Sequence, residues 1–137
     1  MEDTFERSIA ALDSVFSFVG RFSRECNLDD SAAFSLTLAT EELFTNFVRH
    51  NVGGGEHIAI CLNLENGCLI IRLTDFDVDP VDITGENPVD VHAPLAQRKV
   101  GGLGIHLVKS MFDSLIYDYR DRTMRVTAVK KLEGTHV

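Results

Sequence analysis

Little in these 137 residues is built for covalent cross-linking or for a membrane. There are only three cysteines, Cys26, Cys61 and Cys68, with no CxxC pair among them. They cannot all pair within one chain, which argues against a disulfide scaffold and for a cytoplasmic, reducing setting. No run approaches the ~18 apolar residues of a membrane span. The amino terminus, MEDTFERSIA, is acidic and has no apolar stretch, unlike a secretory signal. Linkers, repeats and low-complexity tracts are missing as well, so the expected organisation is one domain over residues 1–137.

Basic charge is scarce over most of the chain. Thirteen Lys and Arg stand against 21 Asp and Glu, a net charge of −8. Residues 1–97 carry 5 basic and 17 acidic side chains, whereas residues 98–137 carry 8 and 4. This is not the broad basic footprint of a nucleic-acid binder. The last third can still hold an anion. Apolar residues make up 45% of the chain and include nine Phe, enough for a substantial core.

Thr4–Ile9 reads as a short strand. Over Ala11–Cys26 the residues Leu12, Val15, Phe16, Val19 and Phe22 recur at helical spacing, predicting one buried face. Asp29, Asp30 and Ser31 then offer capping oxygens for a second helix, AAFSLTLATEELFTNFVRH, which ends before Gly53–Gly55. HIAICLNL and CLIIRLTD are strand candidates around Glu65-Asn66-Gly67, a strong hairpin signal.

All three prolines and six carboxylates (Asp75, Asp77, Asp79, Asp82, Glu86, Asp90) fall between Asp75 and Val100. That stretch reads as a long loop, either a functional element or a surface insert. Gly101-Gly102-Leu103-Gly104 leads into a third helix, IHLVKSMFDSL. LIYDY and MRVTAVKKL close the chain as strands around Arg120-Asp121-Arg122. Two hairpins in this order predict a mixed or largely antiparallel sheet. With helices on one face, the fold class is a two-layer α/β sandwich.

Three constellations carry candidate chemistry. Glu42 and Asn46 are four residues apart on the second helix and share a face beside apolar Leu38, Ala39, Leu43 and Phe47. They read either as a hydrogen-bonded pair at the solvent boundary or as a proton acceptor with a hard-metal ligand one turn away. His50, at the end of that helix, reads as a cap. Gly101, Gly102 and Gly104 offer bare amides at a helix start, suited to phosphate or simply to a hinge. The P-loop pattern GxxxxGK followed by Ser or Thr is missing. Asp75 ends an apolar strand, where it can accept from an exocyclic amine or cap the turn. Neither a zinc-like His/Cys spacing nor a Ser-His-Asp arrangement can be read.

LATEELFTNFVRH resembles the N-box of the GHKL ATPases, the gyrase, histidine-kinase and MutL type. GGLGIHLVKSMFDSLIYDY resembles the glycine-rich box of bacterial anti-sigma regulatory factors with serine-kinase activity, and MRVTAVKK that family's last strand. The resemblance covers nearly the whole chain and implies the following. The fold is of the GHKL (Bergerat) type, with ATP and Mg²⁺ as cofactors. Asn46 coordinates Mg²⁺, and Glu42 is the catalytic base. Asp75 binds the adenine amino group, helped by Thr127. Residues 79–100 form an ATP lid, and Gly101, Gly102 and Gly104 cradle phosphates.

The implied substrate is a serine or threonine on a STAS-type anti-sigma factor antagonist, with a sigma factor as second partner. A homodimer through the helical and N-terminal strand region is also implied, while charge and the lack of long apolar runs argue against a nucleic-acid or membrane partner. One position departs from the pattern: Asp77 stands where the family has a glycine, putting a side chain and a negative charge on the adenine side. That departure keeps a second reading open, a protein-binding regulatory module of the same fold with weak nucleotide binding or no catalysis.

Overall fold

The computed structural model of the chain describes residues 1–51, 53–79 and 102–132. In chain order the elements are β1 (Glu2–Glu6), a 3₁₀ turn (Ile9–Ala11), α1 (Leu12–Glu25), α2 (Asp30–His50), β2 (His57–Glu65) and β3 (Cys68–Asp75). They continue with α3 (Gly102–Met111), β4 (Ser114–Arg120) and β5 (Thr123–Lys131).

The strands form one sheet of order β1-β2-β3-β5-β4, and every ladder is antiparallel. The β2–β3 hairpin turns through Asn66 (φ 52°) and Gly67 (φ 77°), the two positive values that match the twist of the flanking strands. Strand alternation sends Ile58, Ile60, Leu62, Leu69, Ile71, Leu73, Val126 and Ala128 to one face, where all are buried. These side chains share one core with Val15, Phe18, Val19 and Phe22 of α1, Leu36, Leu43, Phe44 and Phe47 of α2, and Ile105 and Val108 of α3. The architecture is the expected two-layer α/β sandwich.

Differences from expectation fall at β1, on the buried face of α1 and at the start of α3. β1 spans Glu2–Glu6 rather than Thr4–Ile9, because its partner β2 begins at His57 opposite Glu6. Just beyond, the Ser8 hydroxyl accepts from the Ala10 amide at 3.0 Å and starts the 3₁₀ turn. On α1 the buried face takes Phe18, which stacks edge-on against Phe5 at 5.3 Å, and leaves Phe16 largely outside. α3 begins at Gly102, inside the glycine run.

α2 is capped as its sequence predicts, with the Asp29 carboxylate accepting from the Ala32 amide at 2.8 Å. It packs against α1, α3 and β3, and so runs across the middle of the helical layer. No helix among the described residues is long and apolar enough to cross a membrane. Most of the expected long loop, residues 80–100, lies outside the described residues, as does Gly101.

Candidate functional site

α2 carries the first part of the site. Its apolar positions face the core on both sides of Asn46, so this amide is drawn in with them and is only 4% exposed. Neither its oxygen nor its nitrogen has a hydrogen-bond partner among the described residues. Buried polar groups in folded proteins are nearly always paired, and an orphan of this kind calls for an explanation. A side-chain oxygen in that condition fits a hard cation such as Mg²⁺, which seeks oxygen ligands.

Glu42 lies one turn earlier and is half-buried. Burial pushes its carboxyl above the ordinary value of 4.5, the neighbouring Glu41 adds to the rise, and Arg49 opposes it. A carboxylate raised in this way is a stronger proton acceptor near neutral pH than a solvated one. Of the two readings of this pair, the hydrogen bond between Glu42 and Asn46 is not formed, since both polar atoms of Asn46 stand alone among the described residues.

The second part gathers where α2 ends and β3 ends. Asp75 closes β3 on the helix-facing side, fully buried. One of its oxygens accepts from an Arg7 Nη2 donor in an ion pair, and the other accepts from Asn51 Nδ2 at 2.6 Å. Arg7 also donates from Nε to the Gly55 carbonyl at 3.0 Å and from Nη1 to the Phe47 carbonyl at 3.4 Å. Phe47 belongs to the last turn of α2; its carbonyl also accepts from the Asn51 amide at 3.1 Å, and the negative end of the helix favours a cation there. Two segments distant in sequence, at Arg7 and Asn51, thus close over one carboxylate.

The chain beyond Asp75 is firmly held as far as Asp79. The Phe76 and Asp77 carbonyls accept from Gly55 at 2.8 Å and Gly54 at 2.7 Å. Val78 donates to the Arg122 carbonyl at 2.8 Å, and Tyr119 donates its hydroxyl to the Val78 carbonyl at 2.6 Å. Asp79 pairs with Arg122 at 3.0 Å. Asp77 has φ 57°, in the left-handed region that favours glycine. An Asp tolerates that region better than most side chains.

The remaining expected residues divide. Gly102 opens α3 and Gly104 lies in its first turn, the end of a helix that favours anions. Thr127 does not join Asp75. It pairs in register with Arg72 and accepts from Arg72 Nε at 3.3 Å, on the sheet face away from the helices. The β5 residue in register with Asp75 is Met124. Arg7 and Asn51 were not singled out in the sequence. The only signal was an isolated basic residue in a strongly acidic amino-terminal segment.

An antiparallel sheet under a helical layer, with a buried Asn on the central helix and a buried Asp at a strand end, has the layout of an α/β sandwich of the GHKL type. Residues 5–130 match the family model described as the histidine kinase-like ATPase domain, and the chain belongs to that family. Comparison with individual curated proteins gives no match.

Proposed function

We propose that the chain is an ATP-binding anti-sigma regulatory factor that phosphorylates a serine or threonine of a STAS-type antagonist and also binds a sigma factor. The observation that carries the reading is the pair on α2: a buried amide without a partner among the described residues, one turn from a carboxylate of raised pKa. Asn46 would hold Mg²⁺, which when bound supplies positive charge to the phosphates. Gly101, Gly102 and Gly104 would offer amides to the same anion, and residues 79–100 would cover it.

Glu42 accepts the proton of the incoming hydroxyl. The hydroxyl oxygen forms its bond to the γ-phosphorus as the bond to the bridging oxygen breaks and ADP leaves. Asp75 reads the amino group of the base. Self-association through the helices and β1 completes the proposal, and no nucleic-acid or membrane partner is part of it.

Co-purification from the native cell with and without ATP identifies the partner, and a phosphorylation assay on that partner follows. Glu42→Ala should slow transfer by about 100-fold or more, the usual scale of a lost general base. Normal transfer by the variant removes Glu42 from the mechanism.

The second reading is a protein-binding module that no longer transfers phosphate. The closure of Asp75 by Arg7 and Asn51 favours it, because a fully buried carboxylate with both oxygens engaged is not open to a base. Titration calorimetry with ATP separates the two. A magnesium-dependent micromolar signal supports the kinase, and silence supports the module.

A further inference from the structure

Asp75 is closed by a side chain of the same polarity as the group it is proposed to read. A guanidinium N–H and an exocyclic amino N–H both donate to a carboxylate, and the charged donor makes the stronger bond. We propose that Arg7 is a built-in competitor for the base-reading end of the site, so that a nucleotide engages Asp75 only as Arg7 withdraws. This rests on the nucleotide reading above and adds to it a residue that sets both affinity and base preference.

The geometry supports displacement of Arg7 rather than simple addition of a ligand. Asp75 has no exposed surface, so a further donor reaches it only by replacing one already present. Of the two donors, Asn51 sits directly at the end of α2 on a short side chain. Arg7 sits at the end of a long, flexible one and is 14% exposed. Its guanidinium lies so close to Gly54 that a Cβ there would collide with it, and Gly54 has φ +86°.

An exit is also present. A cleft of about 270 Å³ is lined by Glu6, Arg7, Gly55, Glu56 and His57. Glu6 and Glu56 offer carboxylates to a guanidinium that has left Asp75, which reduces the cost of withdrawal.

A competitor carried on the same chain lowers apparent affinity by the fraction of molecules in which the site is free. It acts only on ligands that use the site. ATP, which has an exocyclic amine, must displace Arg7 to engage Asp75. Inosine triphosphate has a carbonyl at that position and gains nothing from a free Asp75.

The test is titration calorimetry of ATP and inosine triphosphate, each with Mg²⁺, on the whole chain as wild type, Arg7→Gln and Arg7→Lys. Arg7→Gln should tighten ATP by ~10-fold or more, the penalty of a site free in a tenth of molecules. Inosine triphosphate should bind all three proteins alike, and Arg7→Lys should fall between the other two for ATP. An unchanged ratio of ATP to inosine triphosphate affinity in a folded Arg7→Gln protein overturns the proposal alone. Absence of any triphosphate binding in all three overturns the nucleotide reading and this proposal with it.

Wild type supplies a second measurement that does not depend on the variants folding. The Arg7 Nε–H signal in nitrogen-15 NMR should exchange slowly with solvent without nucleotide and lose that protection at saturating MgATP. Protection unchanged at saturation overturns the proposal.

Discussion

Asn46 and Asp75 are both buried at the candidate site, and they lie on opposite sides of the same physical rule. Asn46 has two polar atoms and no partner among the described residues, whereas Asp75 has a partner on each oxygen. A neutral amide can be held in that state at a cost of about 1–3 kcal/mol. An unpaired buried carboxylate costs far more, and the fold supplies Arg7 as its counter-charge. The difference teaches which end of the site is prepared for an outside group and which is already satisfied from within.

The sharpest way to break this comparison is Asp75→Ala. It strands the Arg7 guanidinium at 14% exposure, and urea denaturation should show a loss on the order of 3 kcal/mol. A loss below about 1 kcal/mol would mean that Arg7 reaches water freely and that the buried pair has little structural weight. Asn46→Ala is the counterpart. Removing an unsatisfied amide offsets the lost packing, so unfolding free energy without ligand should stay within about 1 kcal/mol of wild type. The rise in Tm produced by MgATP should vanish in the same variant. A large fall in ligand-free stability would show that Asn46 is structural.

Glu42 gives a smaller effect whose sign depends on pH. Its folded pKa is raised, so the native state holds the proton more tightly than the unfolded chain, whose value is near 4.5. The stability this contributes is present below that value and is lost as pH rises through the folded pKa. Glu42→Gln removes the penalty on the charged form. Its Tm should match wild type at pH 4 and exceed it at pH 7, and equal Tm values at both would remove the burial argument. The smallest change expected is Asp77→Gly. It relieves a left-handed backbone but frees the unfolded chain, so denaturation should register a shift of less than about 1 kcal/mol.

What could be read from the sequence was what depends on near neighbours. The Asn66-Gly67 turn, the Asp29 cap and the four-residue spacing of Glu42 and Asn46 are all local, and each stands in the structure at its expected place. The face of α1 was harder, because two helical stripes compete. At about 100° per residue, Phe18 lies nearer the direction of Val15, Val19 and Phe22 than Phe16 does.

Thr127 lies on the other face from Asp75 through parity. A residue an odd number of positions from Met124 along β5 points to the other face, and only the register with β3 reveals which. Arg7 was beyond reach for a different reason. Its partner is 68 residues away, and only the sheet order, which lays β1 beside β2, brings the two together.

That sheet order also has a kinetic side. β1 is an edge strand with one neighbour, while β3 lies between two. Edge elements open locally at lower free energy than central ones. Arg7 follows β1 directly, and its amide N–H donates to the carbonyl of Glu56, the residue before β2, at 2.9 Å. Peeling of β1 therefore also carries the guanidinium away from Asp75, so the Arg7 side chain should exchange hydrogen at least as fast as the β1 amides. Fraying of the first seven residues thereby places an upper limit on the lifetime of the closed carboxylate.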